Sequence, residues 1–292
     1  MVTGGVRILL QEGGGTLPLS RLHCGHNTQS WWPGSFGILA PFPRRGPNPP
    51  RPPMTRRNGR TPEQIRPLRF TRAYTPHAPG SVLAEAGDTR VLCTVTFTDQ
   101  VPQWLQGQGS AWLTAEYGML PGSTHARKAR DSRTGKIDAR SLEIQRLIGR
   151  SLRAILDLRA LPEMSIWVDC DVISADGGTR TTAVNGAAVA LHDAIQRLTE
   201  KRSLRRWPLS GLVSAVSVGM VQGKVVADLD YGEDSQADVD MNVVCLSDGR
   251  FVEVQGSAER AAFDDAGMQE LLRVARAGCK EVHERQRAAL GL

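Results

Sequence analysis

Two successive runs of strands, each followed by a helix, predict an α+β chain. Three observations carry that expectation. Apolar runs close across short turn sequences at Gly87-Asp88-Thr89, Gln222-Gly223-Lys224 and Ser247-Asp248-Gly249, as antiparallel hairpins do. Helical patterns follow the strands in both halves, at Ala183 to Leu198 and at Asp264 to Leu290. No apolar run in the sequence approaches the roughly 18 residues of a membrane span.

Residues 1–53 differ from the rest. They hold nine of the 17 prolines and end in Pro47-Asn48-Pro49-Pro50-Arg51-Pro52-Pro53. Such a stretch builds neither a helix nor a central strand and buries little. It is expected to be disordered, with Met54 a candidate for the true start. It also holds Arg7, Arg21, Arg44, Arg45 and Arg51 against Glu12 alone, a net +4 of the chain's +6. The excess charge is therefore no general argument for nucleic acid, and any such argument has to be local.

From residue 54 a basic stretch with Arg56, Arg57, Arg60, Arg66, Arg69 and Arg72 leads into short strands. Ser81 to Glu85 and Arg90 to Val95 form the first hairpin, and Trp112 to Tyr117 is a further strand. Between Arg127 and Arg140, six basic residues stand against Asp131 and Asp138. That run is either a solvated loop or an electrostatic contact for a polyanion. Ile144, Leu147, Ile148, Leu152 and Ile155 then recur at helical spacing, which places Arg140 at or just before a first helical turn.

The chain turns next on Asp176-Gly177-Gly178-Thr179-Arg180-Thr181-Thr182, between the strand run Ser165 to Ile173 and the helix from Ala183. Strand, glycine pair, hydroxyls and arginine, then helix is the order that builds an anion site. Glycine permits the turn, helix N–H groups point at the anion, and an arginine fork matches a phosphate. An ordinary loop with a threonine cap fits the same residues. Both readings stand at this point.

In the second half, Val213 to Val221 alternates as a strand and Val225 to Asp230 returns as its partner, with Asp228 and Asp230 sharing one face. Met241 to Leu246 and Arg250 to Gln255 form another hairpin. Asp228, Asp230, Glu233, Asp234, Asp238 and Asp240 lie close together with no basic residue among them. Like charges this dense require water or a cation. A solvated turn is one reading. The other is a hard divalent ion such as Mg²⁺ held by one or two carboxylates, with Asp234 and Asp240 bracketing the loop. Asp240 is expected to precede its strand.

Cys24, Cys93, Cys170, Cys245 and Cys279 are odd in number, far apart and free of CxxC spacing. That argues against zinc and fits a reducing, cytoplasmic setting. No nucleophile–base pair is evident, and His125 is expected to be a loop residue. A bound phosphate needs no base, being already an anionic nucleophile.

Several long stretches carry a resemblance. They are Gly87-Asp88-Thr89, Thr114 to Pro121 (TAEYGMLP), Arg140 to Arg150 (RSLEIQRLIGR), Asp169 to Val172 (DCDV), Ala175 to Thr181 (ADGGTRT) and Asp238 to Val243 (DVDMNV). In these the chain from about Met54 onward closely resembles bacterial ribonuclease PH, the phosphate-dependent tRNA nucleotidyltransferases. The resemblance implies two β–α units assembled as a hexameric ring of three dimers. It implies trimming of tRNA precursors, and of other structured RNA 3′ ends including rRNA, by inorganic phosphate with release of nucleoside diphosphates. It places phosphate binding on Arg140, Gly178, Thr179 and Arg180. It places the acidic catalytic and Mg²⁺ positions on Asp234 and Asp240, and RNA binding on Arg127 and Arg130. A third arginine common in that basic loop is replaced here by Gly122. Two alternatives remain beside it: a metal-dependent hydrolytic nuclease, and a non-catalytic RNA-binding ring subunit.

Overall fold

The computed structural model describes residues 56–292 apart from 131, 132, 134 and 205. The proline-rich extension and the candidate start at Met54 lie outside the described residues.

The first sheet has five strands: β1 (Leu68–Arg72), β2 (Gly80–Ala86), β3 (Thr89–Thr98), β4 (Trp112–Met119) and β5 (Ser165–Ser174). Their order is β1-β2-β3-β5-β4, antiparallel throughout except for the parallel pair β4 and β5. A parallel pair needs a long crossover, and α1 (Ala139–Arg153) lies within it. The Asp138 carboxylate caps α1 by accepting from the Ser141 N–H at 2.7 Å. Ile144, Leu147, Ile148 and Leu152 form the buried face, as their spacing predicts.

The second sheet is antiparallel, ordered β7-β6-β8-β9: β6 (Val213–Val221), β7 (Lys224–Ala227), β8 (Val239–Leu246) and β9 (Phe251–Ala258). Between the sheets runs α2 (Thr179–Lys201), packed on β2 and β3 on one side and β6 on the other. A helix between two sheets is buried all round, and Ala183, Val184, Ala187, Ala188, Val189 and Leu191 are all fully buried. The close approach demands small residues. A Cβ on Gly186 would lie 2.6 Å from the Ala84 Cβ, and one on Gly80 only 2.0 Å from the Ala190 carbonyl oxygen. Alternate residues of β6 serve different cores. Val213 and Ala215 face α2, whereas Val216 and Val218 face α4 (Asp265–Leu290), which covers the second sheet with Leu271, Val274, Ala275 and Val282. Within the α2 layer, the Asn185 side chain both donates to the Ala215 carbonyl and accepts from its N–H, at 2.9 and 2.7 Å.

Four expectations need correction. α2 begins at Thr179, four residues before the helical apolar pattern becomes visible. β7 stops at Ala227, because Asp228 adopts a left-handed φ of 52°. Asp228 and Asp230 therefore do not share a strand face; Asp230 instead caps the short helix α3 (Tyr231–Asp234) in a reciprocal capping box with Glu233. Asp240 lies inside β8 rather than before it. Strand β1 falls in the basic stretch, where no strand was expected. Cys93, Cys170, Cys245 and Cys279 are buried core residues with free thiols. Among the described residues, no helix is long and apolar enough to cross a membrane.

Candidate active site

The site grows from the start of α2. Gly177 and Gly178 are both left-handed, at φ 73° and 64°. The second reason for glycine is contact: a Cβ on Gly177 would lie 2.5 Å from the Leu229 carbonyl oxygen and 2.8 Å from the Tyr231 nitrogen. The glycine turn thus rests directly on the backbone of the second half. Gly178 is the N-cap and no side chain caps the helix. The threonine-cap reading fails, because Thr179 is already the first helical residue and its Oγ1 accepts from the Tyr117 hydroxyl at 2.8 Å. Thr181 donates its hydroxyl to the Gly178 carbonyl at 2.9 Å. The first helical hydrogen bond runs from the Thr182 N–H to the Gly178 carbonyl, 3.0 Å. The N–H groups of Thr179, Arg180 and Thr181 precede it and point out of the helix end, where an anion is favoured.

Arg180 leaves this turn with its side chain largely buried. Its Nη1 lies 3.5 Å from both the Gln255 Oε1 and the Glu143 Oε1. Gln255 in turn donates to Glu143 at 2.5 Å, so one side of the guanidinium rests on a link between β9 and α1. Arg140 is the second residue of α1 and is exposed.

Asp234 ends α3, and Asp240 sits in β8 opposite Gly219 of β6 and Ser257 of β9. Burial pushes both carboxyls up, Asp240 to about 6, with Asp234 adding to it and Arg180 and Arg140 opposing. The same two arginines act on the Tyr117 hydroxyl, which burial also pushes up. The structure therefore brings Arg140, Gly178, Thr179, Arg180, Asp234 and Asp240 into one electrostatic neighbourhood. No basic side chain makes an ion pair with Asp234 or Asp240 among the described residues. Arg127 and Arg130 stand apart, exposed in the loop between β4 and α1. That loop is tied to the start of α1 by the ion pair of Lys128 with Asp138.

Half of the acidic cluster serves another purpose. Asp228, Asp230 and Glu233 are buried against Arg56, Arg60 and Arg66, which are themselves at most 8% exposed. Arg56 grips Glu233 with two bonds, 2.6 and 2.8 Å, and also donates to the carbonyls of Ala227 and Asp228. Arg66 donates to both oxygens of Asp228, 2.9 Å from Nε to Oδ2 and 2.7 Å from Nη2 to Oδ1. Neither a solvated turn nor a metal explains these three acids. Their partners lie 162 to 177 residues away in the chain, a distance no local pattern bridges.

What remains for a cation is Asp234 and Asp240. The described residues contain no group of three or more His, Cys, Asp or Glu side chains able to enclose a metal. Two neighbouring carboxylates, one of them hard to ionise alone, fit Mg²⁺, which keeps several waters and binds through one or two carboxylates plus substrate phosphates.

A cradle for an anion set beside a carboxylate pair is the arrangement phosphoryl transfer requires. Comparison with known proteins agrees at the level of family. Residues 64–195 match the 3′ exoribonuclease family (RNase PH), domain 1, and residues 211–278 match its domain 2. The two matches together span well over half the chain, in order, and the protein belongs to that family, with an RNase PH-like fold. Among solved structures it is similar to rice (Oryza sativa) Rrp46, with a TM-score of 0.64 and 21% identity over 80% of this chain and 98% of that one. It is similar also to the Archaeoglobus fulgidus exosome with RNA bound to the active site, with a TM-score of 0.67 and 21% identity over 78% and 91% of the two chains. An archaeal exosome core follows at 0.61 and 20%, over 78% and 90%. At such identities the likeness is one of fold.

Proposed function

We propose that this chain is a phosphorolytic 3′-to-5′ exoribonuclease of the bacterial ribonuclease PH type, trimming tRNA precursors and other structured RNA 3′ ends in the cytoplasm. The observation that carries the reading is the pairing of an uncapped helix start and Arg180 with two unpaired acids, Asp234 and Asp240. The exosome structures of similar fold, one with RNA bound to its active site, support RNA as substrate. A homohexamer built as a trimer of dimers follows from the resemblance in sequence.

In this reading inorganic phosphate is held by Arg140, Arg180, Gly178 and the Thr179 hydroxyl and N–H. A phosphate oxygen attacks the last phosphodiester. The bond to the preceding 3′ oxygen breaks, that oxygen takes a proton, and a nucleoside diphosphate leaves. Mg²⁺, held by Asp234 and Asp240, would supply neutralisation of the charge on the transferring phosphoryl group. The arginines orient the nucleophile, and Arg127 and Arg130 hold the RNA backbone.

One assay tests the reading: RNA with a 3′ tail, with and without phosphate, products separated by charge. Diphosphates formed only with phosphate are expected. Monophosphates formed without it point to a hydrolytic nuclease, and no product at all to a non-catalytic ring subunit.

A further inference from the structure

We infer that Arg66 and Thr89 are positioning residues that set the phosphate turn against the loop carrying Asp234. The inference rests on the phosphorolytic reading of the site. Neither residue belongs to the cradle, and both are buried, at 4% and 0% exposure. Thr89, the first residue of β3, donates its hydroxyl to the Gly177 carbonyl at 2.7 Å and accepts from the Asp176 N–H at 2.9 Å. Arg66 donates to the Asp176 carbonyl at 2.5 Å and reaches the Gly177 carbonyl at 3.4 Å.

The consequence follows from peptide geometry. In a trans peptide the C=O and the next N–H point in opposite directions, and the described residues contain no cis peptide. Fixing the carbonyls of Asp176 and Gly177 on Arg66 and Thr89 therefore fixes the direction of the Gly177 and Gly178 N–H groups, away from both. With the remaining edge of its guanidinium, and its own backbone N–H, Arg66 holds Asp228. Asp228 starts the segment that runs through the Asp230 cap into α3 and Asp234. One buried fork thus bridges the anion turn and the carboxylate loop. Lysine cannot copy it, having a point charge where arginine has a planar fork.

The test is a phosphate titration of phosphorolysis on a fixed RNA, run beside calorimetric titration of inorganic phosphate into the full chain. Arg66→Lys and Thr89→Val should each raise the phosphate KM and Kd by about tenfold or more, the scale of a small misplacement of a bound group. The RNA KM should stay unchanged; kcat at saturating phosphate should stay close to wild type in Thr89→Val and fall in Arg66→Lys, because Arg66 also holds the Asp228 end of the Asp234 segment. Arg69→Lys, on exposed β1, should change neither constant. Both variants keeping wild-type phosphate affinity overturns the inference. So does a loss of kcat and melting temperature with phosphate KM unmoved, which a purely structural role produces. Should Arg66→Lys fail to fold by circular dichroism, Thr89→Val, which removes a hydroxyl without changing charge or shape, decides alone. A wild-type protein that neither binds nor uses phosphate overturns the phosphorolytic reading instead, a result distinct from any of these.

Discussion

Replacing Asp240 by asparagine should make the protein without Mg²⁺ more stable at neutral pH. Burial, with Asp234 beside it, moves this carboxyl from its ordinary value of 3.8 to about 6. Each pH unit of such a shift is worth about 1.4 kcal/mol, so the ionised group costs the fold on the order of 3 kcal/mol near pH 7. The sign follows from linkage. The folded pKa lies above the unfolded one, so the contribution to stability is full below about pH 4 and is lost as the pH rises through about 6. Asparagine does not titrate. The stability difference between variant and wild type should therefore be near zero at pH 4 and grow to its maximum by pH 7. Urea unfolding of both proteins across that range measures it. Mg²⁺ should shrink the difference by stabilising wild type alone. A variant equal to or less stable than wild type at pH 7 would refute the reasoning, because the acid would then be satisfied by groups other than a cation.

Three further outcomes are expected. Arg180→Ala should raise the phosphate KM in steady-state phosphorolysis while RNA binding persists; unchanged phosphate saturation would take Arg180 out of the cradle. Replacing Arg127 and Arg130 by serine should reduce the slope of log affinity against log salt by about 1.4 for single-stranded RNA, as read from filter binding at several salt concentrations; an unaltered slope places the RNA elsewhere. Arg56→Met leaves Glu233 buried with only the longer contact to the Arg60 guanidinium, at 3.5 Å, and should destabilise the fold by about 3 kcal/mol, with much of the loss recovered by adding Glu233→Gln; a loss below 1 kcal/mol in chemical unfolding contradicts the buried geometry.

Sequence made the fold class legible wherever one local rule dominates. The hairpin at Gly87-Asp88, the amphipathic α1 and the long α4 each announce themselves through periodicity or turn chemistry. The start of α2 did not, because Thr179, Thr181 and Thr182 are poor helix formers and the helix is held there by its surroundings. Val225 to Asp230 alternates like a strand, yet the backbone leaves the strand at Asp228, where the carboxylate turns back to Arg66. Strand β1 leaves no signature in the sequence because it is an edge strand with only Leu68 and Phe70 partly buried, too few positions for a pattern. The anion turn was legible as a local motif. Its two supports, Arg66 and Thr89, were not, since each meets the turn only after the chain has folded back on itself.

The acidic run from Asp228 to Asp240 divides on a physical criterion that composition cannot supply. Burial pushes both Asp228 and Asp240 toward the neutral form. At Asp228 the Arg66 fork and backbone N–H outweigh burial and hold the carboxyl below its ordinary value. At Asp240 the arginines act only from a distance, and the carboxyl rises to about 6. The chain thus neutralises Asp228, Asp230 and Glu233 with three buried arginines and withholds such a partner from Asp234 and Asp240. A protein selected for stability alone would have paired or replaced those two acids. The place where pairing is withheld lies beside an uncapped helix start, which is where a cation and a phosphate could complete each other.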